Sequence, residues 1–274
     1  MLNYIDQTGQ QIILSKPPKK IISLVPSQTE LLFNLGLHHE VIGITKFCVH
    51  PDEWFRNKTK IGGTKQLKTE LIKQLNPDLI IANKEENVKE QIEELQKYFP
   101  VWISDVSNLN DACQMIEQIG SITNKSQQAI QMIDRIKENF SKLPTHNFRL
   151  PTAYLIWQKP FMAAGGDTFI NSMMETAGFD NIFKNKTRYP EITIEEMIRH
   201  NPALLLLSSE PYPFKQKHTQ KIKEQGFNGQ VLLADGEMFS WYGSRLLKAP
   251  AYFQKLRSQA FFPPATSSGD GVKG

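Results

Sequence analysis

The chain has 274 residues, with 32 Lys plus Arg against 28 Asp plus Glu and a net charge of +4. With 22% charged and 40% hydrophobic residues it is globular in composition, which excludes disordered, collagen-like, coiled-coil and disulfide-scaffold classes, and at roughly 150 residues per domain it suits two domains or one large one. No block of five like charges directs it to nucleic acid, and its longest aliphatic run, Ala203 to Leu207, is far short of the ~18 apolar residues of a membrane span.

The first residues, Met1 to Asp6, carry neither a basic segment nor an apolar core, so no secretory leader is visible. Cys48 and Cys113 are far apart, in no CxxC spacing, and are expected to stay unpaired. Short apolar runs bounded by turn residues then alternate with segments of helical period, the pattern of parallel sheets covered by helices. Strands are predicted at 21–25, 41–44, 78–82, 101–104, 153–157, 204–208 and 231–234. Ser27-Gln28-Thr29-Glu30 reads as a capping box opening a helix that Gly36 ends. Further helices are predicted at 68–75, 88–98, 111–119, 168–176, 194–200, 216–224 and 250–259. Between Lys125 and Leu143, Ala129, Met132, Ile133, Ile136, Phe140 and Leu143 recur at spacings of three and four, one apolar stripe on a helix about five turns long. With α/β alternation on both sides, it reads as a bridge between an N-terminal lobe (1–124) and a C-terminal lobe (144–262); an ordinary covering helix is the alternative. The Pro-, Gly- and Ser-rich stretch 263–274 is expected to be a disordered tail.

The chain also echoes itself. Glu70 to Ile81 and Glu195 to Leu206 share one design, a helix, an Asn-Pro stop and a buried strand, in which the proline forbids helical continuation and drives the preceding Asn out of the α region. A second echo is a helix ending at Gly36 before Leu37 and another ending at Gly178 before Phe179. Glu70 and Glu195 are equivalent, each at the start of its helix, where the dipole favours a carboxylate. They are either simple helix-start charges or matched docking points, one per lobe, for a two-fold symmetric partner.

The segments Pro18 to Leu32, Val41 to Ile44 and Asn76 to Ile81, followed by the long middle helix and Gly178 to Phe183, resemble the substrate-binding proteins of ABC importers for cobalamin and iron chelates. The resemblance runs to about residue 258. It implies a class III periplasmic binding protein fold, α/β with two Rossmann-like lobes joined by one long helix and ligand held between them, and no enzymatic activity. It implies Glu70 and Glu195 as the glutamates that dock on the permease transmembrane subunits. It further implies Phe47, Phe161 and Tyr189 as aromatic walls of the cleft, with Thr64 standing where cobalamin binders carry a tryptophan. The cargo would be a corrinoid or ferric siderophore, with no cofactor, no nucleic-acid partner and a monomeric, periplasmic or membrane-associated protein. The alternative is a haem binder or an intracellular chelate chaperone or enzyme on the same fold.

Three other clusters stand out. Phe47-Cys48-Val49-His50 places a thiol and an imidazole in a predicted cleft loop, too few ligands for a zinc site and without a base to activate the thiol; His50 is carried as a ligand contact. Gly165-Gly166-Asp167-Thr168 reads as a cleft turn with Asp167 or Thr168 capping the next helix. Trp241, Tyr242 and Arg245 follow the last strand, where open α/β sheets place ligand contacts, and could offer an aromatic wall and a cation. His38 and His39 are assigned to a solvated connection.

Overall fold

The computed structural model describes residues 1–145 and 148–261, so the tail predicted for 263–274 lies outside the described residues. Two parallel-based sheets organise the chain. The first has the order Thr59–Lys60, Val41–Ile44, Ile21–Ser23, Leu79–Asn83, Val101–Ser104, all parallel. The second is built around Leu150–Trp157, flanked by the parallel strands Leu204–Ser208 and Gln230–Ala234 on one side and the short antiparallel Phe161–Ala163 and Glu191–Ile192 on the other.

Central strands of such sheets are buried on both faces, so their side chains alternate between two cores. Leu204 and Leu206 face one cluster and Leu205 and Leu207 another; Ile21, Leu79 and Ile81 face inward while Ile22, Ile80 and Ala82 pack outward on Ile72, Ile92 and Leu95. The inner cluster is continuous through both sheets and through the helices Leu109–Ile122 and Ser126–Ser141, from Ile21 and Leu79 by way of Ile116 and Ile136 to Tyr154, Leu204 and Phe253. The stripe predicted for the middle helix is the buried face found: Ala129, Met132, Ile133, Ile136 and Phe140. That helix does not stand alone between the sheets. It folds back on Leu109–Ile122 through a turn at Asn124 (φ 58°), and the C-terminal helix Ala249–Phe261 packs beside it, with Phe140 and Phe253 edge to face at 6.5 Å.

The repeat is written into the backbone. Helices Thr69–Leu75 and Ile194–Arg199 are followed by Asn76 (φ 48°) and Asn201 (φ 45°), both left-handed, then by strands Leu79–Asn83 and Leu204–Ser208. Asparagine tolerates this conformation better than other L-residues, and the following proline bars the right-handed one. Gly36 and Gly178 both take φ 80° where their helices end, as the glycine echo requires.

The first helix corrects one expectation. It spans Pro26–Asn34 with Val25 at the cap and no side-chain cap bond, because Pro26, lacking an N–H and with φ already set, takes the first helical position. Ser27 is therefore inside the helix, and Glu30 turns to the other lobe. The hairpin Leu2–Ile5 with Gln11–Leu14 was not predicted. Its turn is held by Asp6 Oδ1, which accepts from the amides of Thr8 (2.8 Å) and Gln10 (2.9 Å).

Candidate ligand cleft between the lobes

The C-terminal edges of the two sheets face each other, and the loops that leave them, with the helix Pro26–Asn34, carry cross-lobe contacts at this end. From the first lobe come the loops after Val41–Ile44 (Phe47, His50) and after Leu79–Asn83 (Glu85, Glu86). From the second come the loops after Leu204–Ser208 (Glu210), after Gln230–Ala234 (Glu237, Trp241, Tyr242, Arg245) and the turn carrying Arg188 and Tyr189. Open α/β sheets bind ligands at this edge, in the crevice outside their strand ends.

Arg245 sits at the joint and is almost fully buried. Its guanidinium meets Glu30 across the lobes (Nη2–Oε1 2.9 Å, Nε–Oε2 3.1 Å) and Glu237 of its own lobe (2.9 Å), over the Trp241 ring at 5.0 Å. The expectation of a free cation for a ligand carboxylate or phosphate is thereby corrected: two carboxylates already occupy the guanidinium. Trp241 and Tyr242 are likewise buried rather than open walls. The Trp241 indole N–H donates to Glu210 Oε1 (2.8 Å), and Tyr242 packs edge-on against Phe169 at 5.6 Å. Burial pushes the Tyr242 phenol well up, facing Ser27 of the first lobe.

His50 is half-exposed on the cleft side. Its Nε2 lies 3.3 Å from Glu237 Oε1 and its ring is edge-on to Trp241 at 5.8 Å, tying the two lobes a second time. Arg188 and Glu85 pair across the cleft as a third tie, and Asn34 Nδ2 donates to Ser244 Oγ at 3.0 Å.

Phe47 is 53% exposed on its loop. Phe161 and Tyr189 are half-buried, each with one face in a core cluster; burial lifts the Tyr189 phenol to about 12. Thr64 is buried, its carbonyl accepting from Asn87 Nδ2 at 3.1 Å, so this position supports the neighbouring loop from behind rather than presenting a wall. Trp157, 39% exposed at the end of its strand, was not singled out in the sequence.

Two asparagines build the Glu85–Glu86 loop. Asn83 Oδ1 accepts from both glutamate amides at 2.9 Å, and Asn87 Oδ1 accepts from the Asn83 amide at 2.9 Å. On the facing lobe Glu210 accepts at Oε1 from Ser240 (2.6 Å) and Trp241. A side chain at Gly236 would run into Glu210 Cγ and Ser208 Oγ at 2.5 Å, so glycine is needed for this approach. Desolvation, opposed by the Ser240 bond and reinforced by the charges of Glu237 and Glu86, pushes the Glu210 carboxyl up to about 7. Glu30, Glu85, Glu86, Glu210 and Glu237 escaped the sequence reading as cleft residues. All but Glu30 follow a strand end, so the position was readable although the lobe pairing was not.

The Gly165–Gly166 pair is the turn expected, held by backbone bonds. Its amides donate to Arg188 and Lys186 carbonyls, each at 2.8 Å, and Thr168 caps the next helix by accepting from the Asn171 amide at 3.2 Å. Asn181 clamps this turn, its amide reaching the Ala164 carbonyl and Asn171 Oδ1 at 2.9 Å. Cys48 and Cys113 are free and buried. Burial pushes the Cys48 thiol up, against hydrogen bonds from Thr29 and Thr45, which is unsuited to a nucleophile. Among the described residues no group of three or more His, Cys, Asp or Glu is arranged to hold a metal ion, and no helix is long and apolar enough to cross a membrane.

Glu70 and Glu195 both occupy the second position of their helices and are exposed. Glu70 pairs with Lys73 at 2.8 Å. The Glu195 carboxyl is held below its ordinary range by its own backbone amide and by Thr193.

The family model for periplasmic binding proteins matches residues 21–230. A vitamin B12-binding protein of Vibrio campbellii is 26% identical over 201 residues, covering 70% of this chain and 71% of the relative. The ABC transporter substrate-binding lipoprotein YvrC of Bacillus subtilis, itself uncharacterised, is 26% identical over 213 residues, covering 73% and 67%. Among solved structures, a periplasmic solute-binding protein of Staphylococcus epidermidis superposes with a TM-score of 0.74 at 24% identity, covering 90% of this chain and 100% of that one. The two lobes with their facing strand ends are the class III architecture, and solute binding without catalysis is the family's work. The chain belongs to the periplasmic binding protein family.

Proposed function

We propose that this protein captures a bulky metal chelate, a corrinoid or a ferric chelate, between its lobes and hands it to an ABC permease at the membrane, docking through Glu70 and Glu195. The observation that carries the reading is the pairing of the sheets' C-terminal edges around partly open aromatic faces, Phe47, Phe161 and Tyr189, one from the first lobe and two from the second. Rigid aromatic faces with few polar anchors suit a large flat or globular ligand. The cross-lobe ties at Arg245, His50 and Arg188 and the shared core support limited lobe movement, because separating the lobes would strand buried carboxylates. The protein works outside the cytoplasmic membrane, in the periplasm or held at its surface.

Titration with cyanocobalamin, a ferric hydroxamate and haemin, followed by tryptophan emission, tests the reading. Saturable quenching with at least one supports it; silence with all three overturns it. For docking, the Glu70→Ala/Glu195→Ala double variant is expected to lose permease association while binding chelate as before. Unchanged association would remove the role assigned to the glutamates.

A further inference from the structure

The two cross-lobe arginines are held very differently. Arg245 is shared by two carboxylates and its side chain is only 10% exposed. Arg188 is 53% exposed and reaches Glu85, itself 25% exposed, through Nη2 alone, so its Nε and Nη1 have no partner among the described residues. The backbone beneath it is nonetheless fixed. Arg188 is left-handed (φ 58°), its amide donates to Asp167 Oδ1 at 2.5 Å and its carbonyl accepts from the Gly165 amide at 2.8 Å; a residue with a side chain keeps this conformation only where its surroundings enforce it. From the first lobe, Lys65 Nζ donates to the carbonyl of the same Glu85 at 2.6 Å. Lys65 lies in the turn between Gly62–Gly63 and Gln66–Leu67, which Asn87 and Gln91 pin by donating to the Thr64 and Lys65 carbonyls at 3.1 and 3.2 Å. An arginine of one lobe and a lysine of the other therefore converge on one glutamate. Lys46 stands on the adjoining loop, its ammonium 5.1 Å from the Phe47 ring centre, and neither lysine has a carboxylate partner among the described residues. The acids on the same loops are Asp167, engaged by the Arg188 amide, and the exposed Glu86.

We propose that Glu85 holds the place of a ligand carboxylate: the cargo is a chelate with a free carboxylate at its edge, which displaces Glu85 from Arg188 and takes Lys65 as its second cation. The proposal rests on the chelate-capture reading above and names the ligand class within it. A guanidinium matches a carboxylate through two parallel N–H bonds, and Glu85 uses one. A ligand carboxylate, free to orient, takes the second as well. The exchange leaves Arg188 paired throughout, and Glu85 moves from a half-open pair into water, a small loss because exposed ion pairs contribute little. The same exchange at Arg245 would leave Glu30 and Glu237 desolvated without their partner, so that arginine stays structural. Tyr189 follows Arg188 in the same turn, so a chelate lying against the open face of Tyr189 brings its edge to the guanidinium. A chelate without carboxylates leaves the Glu85–Arg188 pair in place and gains nothing from it, and selectivity is that difference in affinity.

The test compares dissociation constants for haemin and ferric citrate, which carry free carboxylates, with those for haemin dimethyl ester, cyanocobalamin and ferrioxamine B, which do not. The expected result is that haemin or ferric citrate binds at least about tenfold more tightly than every carboxylate-free probe, a difference of about 1.4 kcal/mol. Arg188→Gln is expected to erase that advantage. Glu85→Gln, which removes the competing carboxylate and keeps the loop, is expected to tighten the carboxylate-bearing probe by about threefold and leave the others where they were. A carboxylate-free probe bound as tightly as both haemin and ferric citrate by the unaltered protein overturns the proposal while leaving the chelate-capture reading intact. So does an advantage that survives Arg188→Gln, or a pair of variants that shift all probes alike, which is the behaviour of a simple strut between the lobes. Failure of every probe to bind overturns the capture reading and this proposal with it.

Discussion

Replacing Glu210 by glutamine isolates one charge in the cleft. The folded carboxyl titrates at about 7 because it is desolvated beside Glu237 and Glu86, whereas in the unfolded chain it titrates at about 4.3. The folded protein therefore binds this proton more tightly. Below the unfolded value both states are protonated and the group costs nothing; the cost grows as pH rises between the two values and is complete above the folded one. At about 1.4 kcal/mol per pKa unit the upper bound is roughly 3–4 kcal/mol; the group is partly open to the cleft, so solvent screening brings the expectation to about 2 kcal/mol. Glutamine removes the charge and keeps an oxygen for the Ser240 and Trp241 donors at 2.6 and 2.8 Å. Urea unfolding followed by far-UV circular dichroism should show the Glu210→Gln variant near the parent at pH 4.5 and about 2 kcal/mol more stable at pH 8. A difference that is flat across pH, or one largest in acid, would refute the reasoning that burial and neighbouring carboxylates penalise this anion.

Other outcomes follow from the same geometry. Arg245→Met strands Glu30 and Glu237 in a nearly dry joint and should cost about 3–5 kcal/mol in chemical denaturation, part of which a second change, Glu30→Gln, restores. Asn76→Ala and Asn201→Ala, at φ 48° and 45°, should each cost about 1 kcal/mol, and the matching glycine variants close to nothing; thermal melts of the four variants check this. Thr168→Ala removes the side-chain acceptor of the Asn171 amide and should lower stability by about 1 kcal/mol in urea unfolding.

Much of the architecture was legible because it depends on local chemistry. The strands 41–44, 101–104 and 204–208 and the helix 216–224 stand where the apolar runs and periodicity place them, and the Asn-Pro repeat proved to be a repeat of backbone conformation. The short strands Phe161–Ala163 and Glu191–Ile192 were missed, since each is too brief to show a period and forms because a partner edge is there to receive it. The same limit applied to the cleft. Phe47, His50, Phe161 and Tyr189 do reach the facing edges, but Arg245 looks like a free ligand cation in sequence because nothing local announces Glu30, 215 residues away, as its partner. Glu85 follows a strand readable in the sequence, and only the folded pairing of the lobes brings Arg188, 103 residues away, to it.

The central claim is that ligand enters between the facing strand ends. Hydrogen–deuterium exchange of the whole protein with and without saturating cyanocobalamin, or ferrioxamine B if that binds more tightly, tests it directly. The account predicts new protection in the loops 45–51, 83–88, 209–215 and 235–245, drawn from both lobes, with the outer helices Lys89–Gln96 and Gln216–Glu224 unchanged. Protection confined to one lobe, or centred on those outer helices, would contradict it.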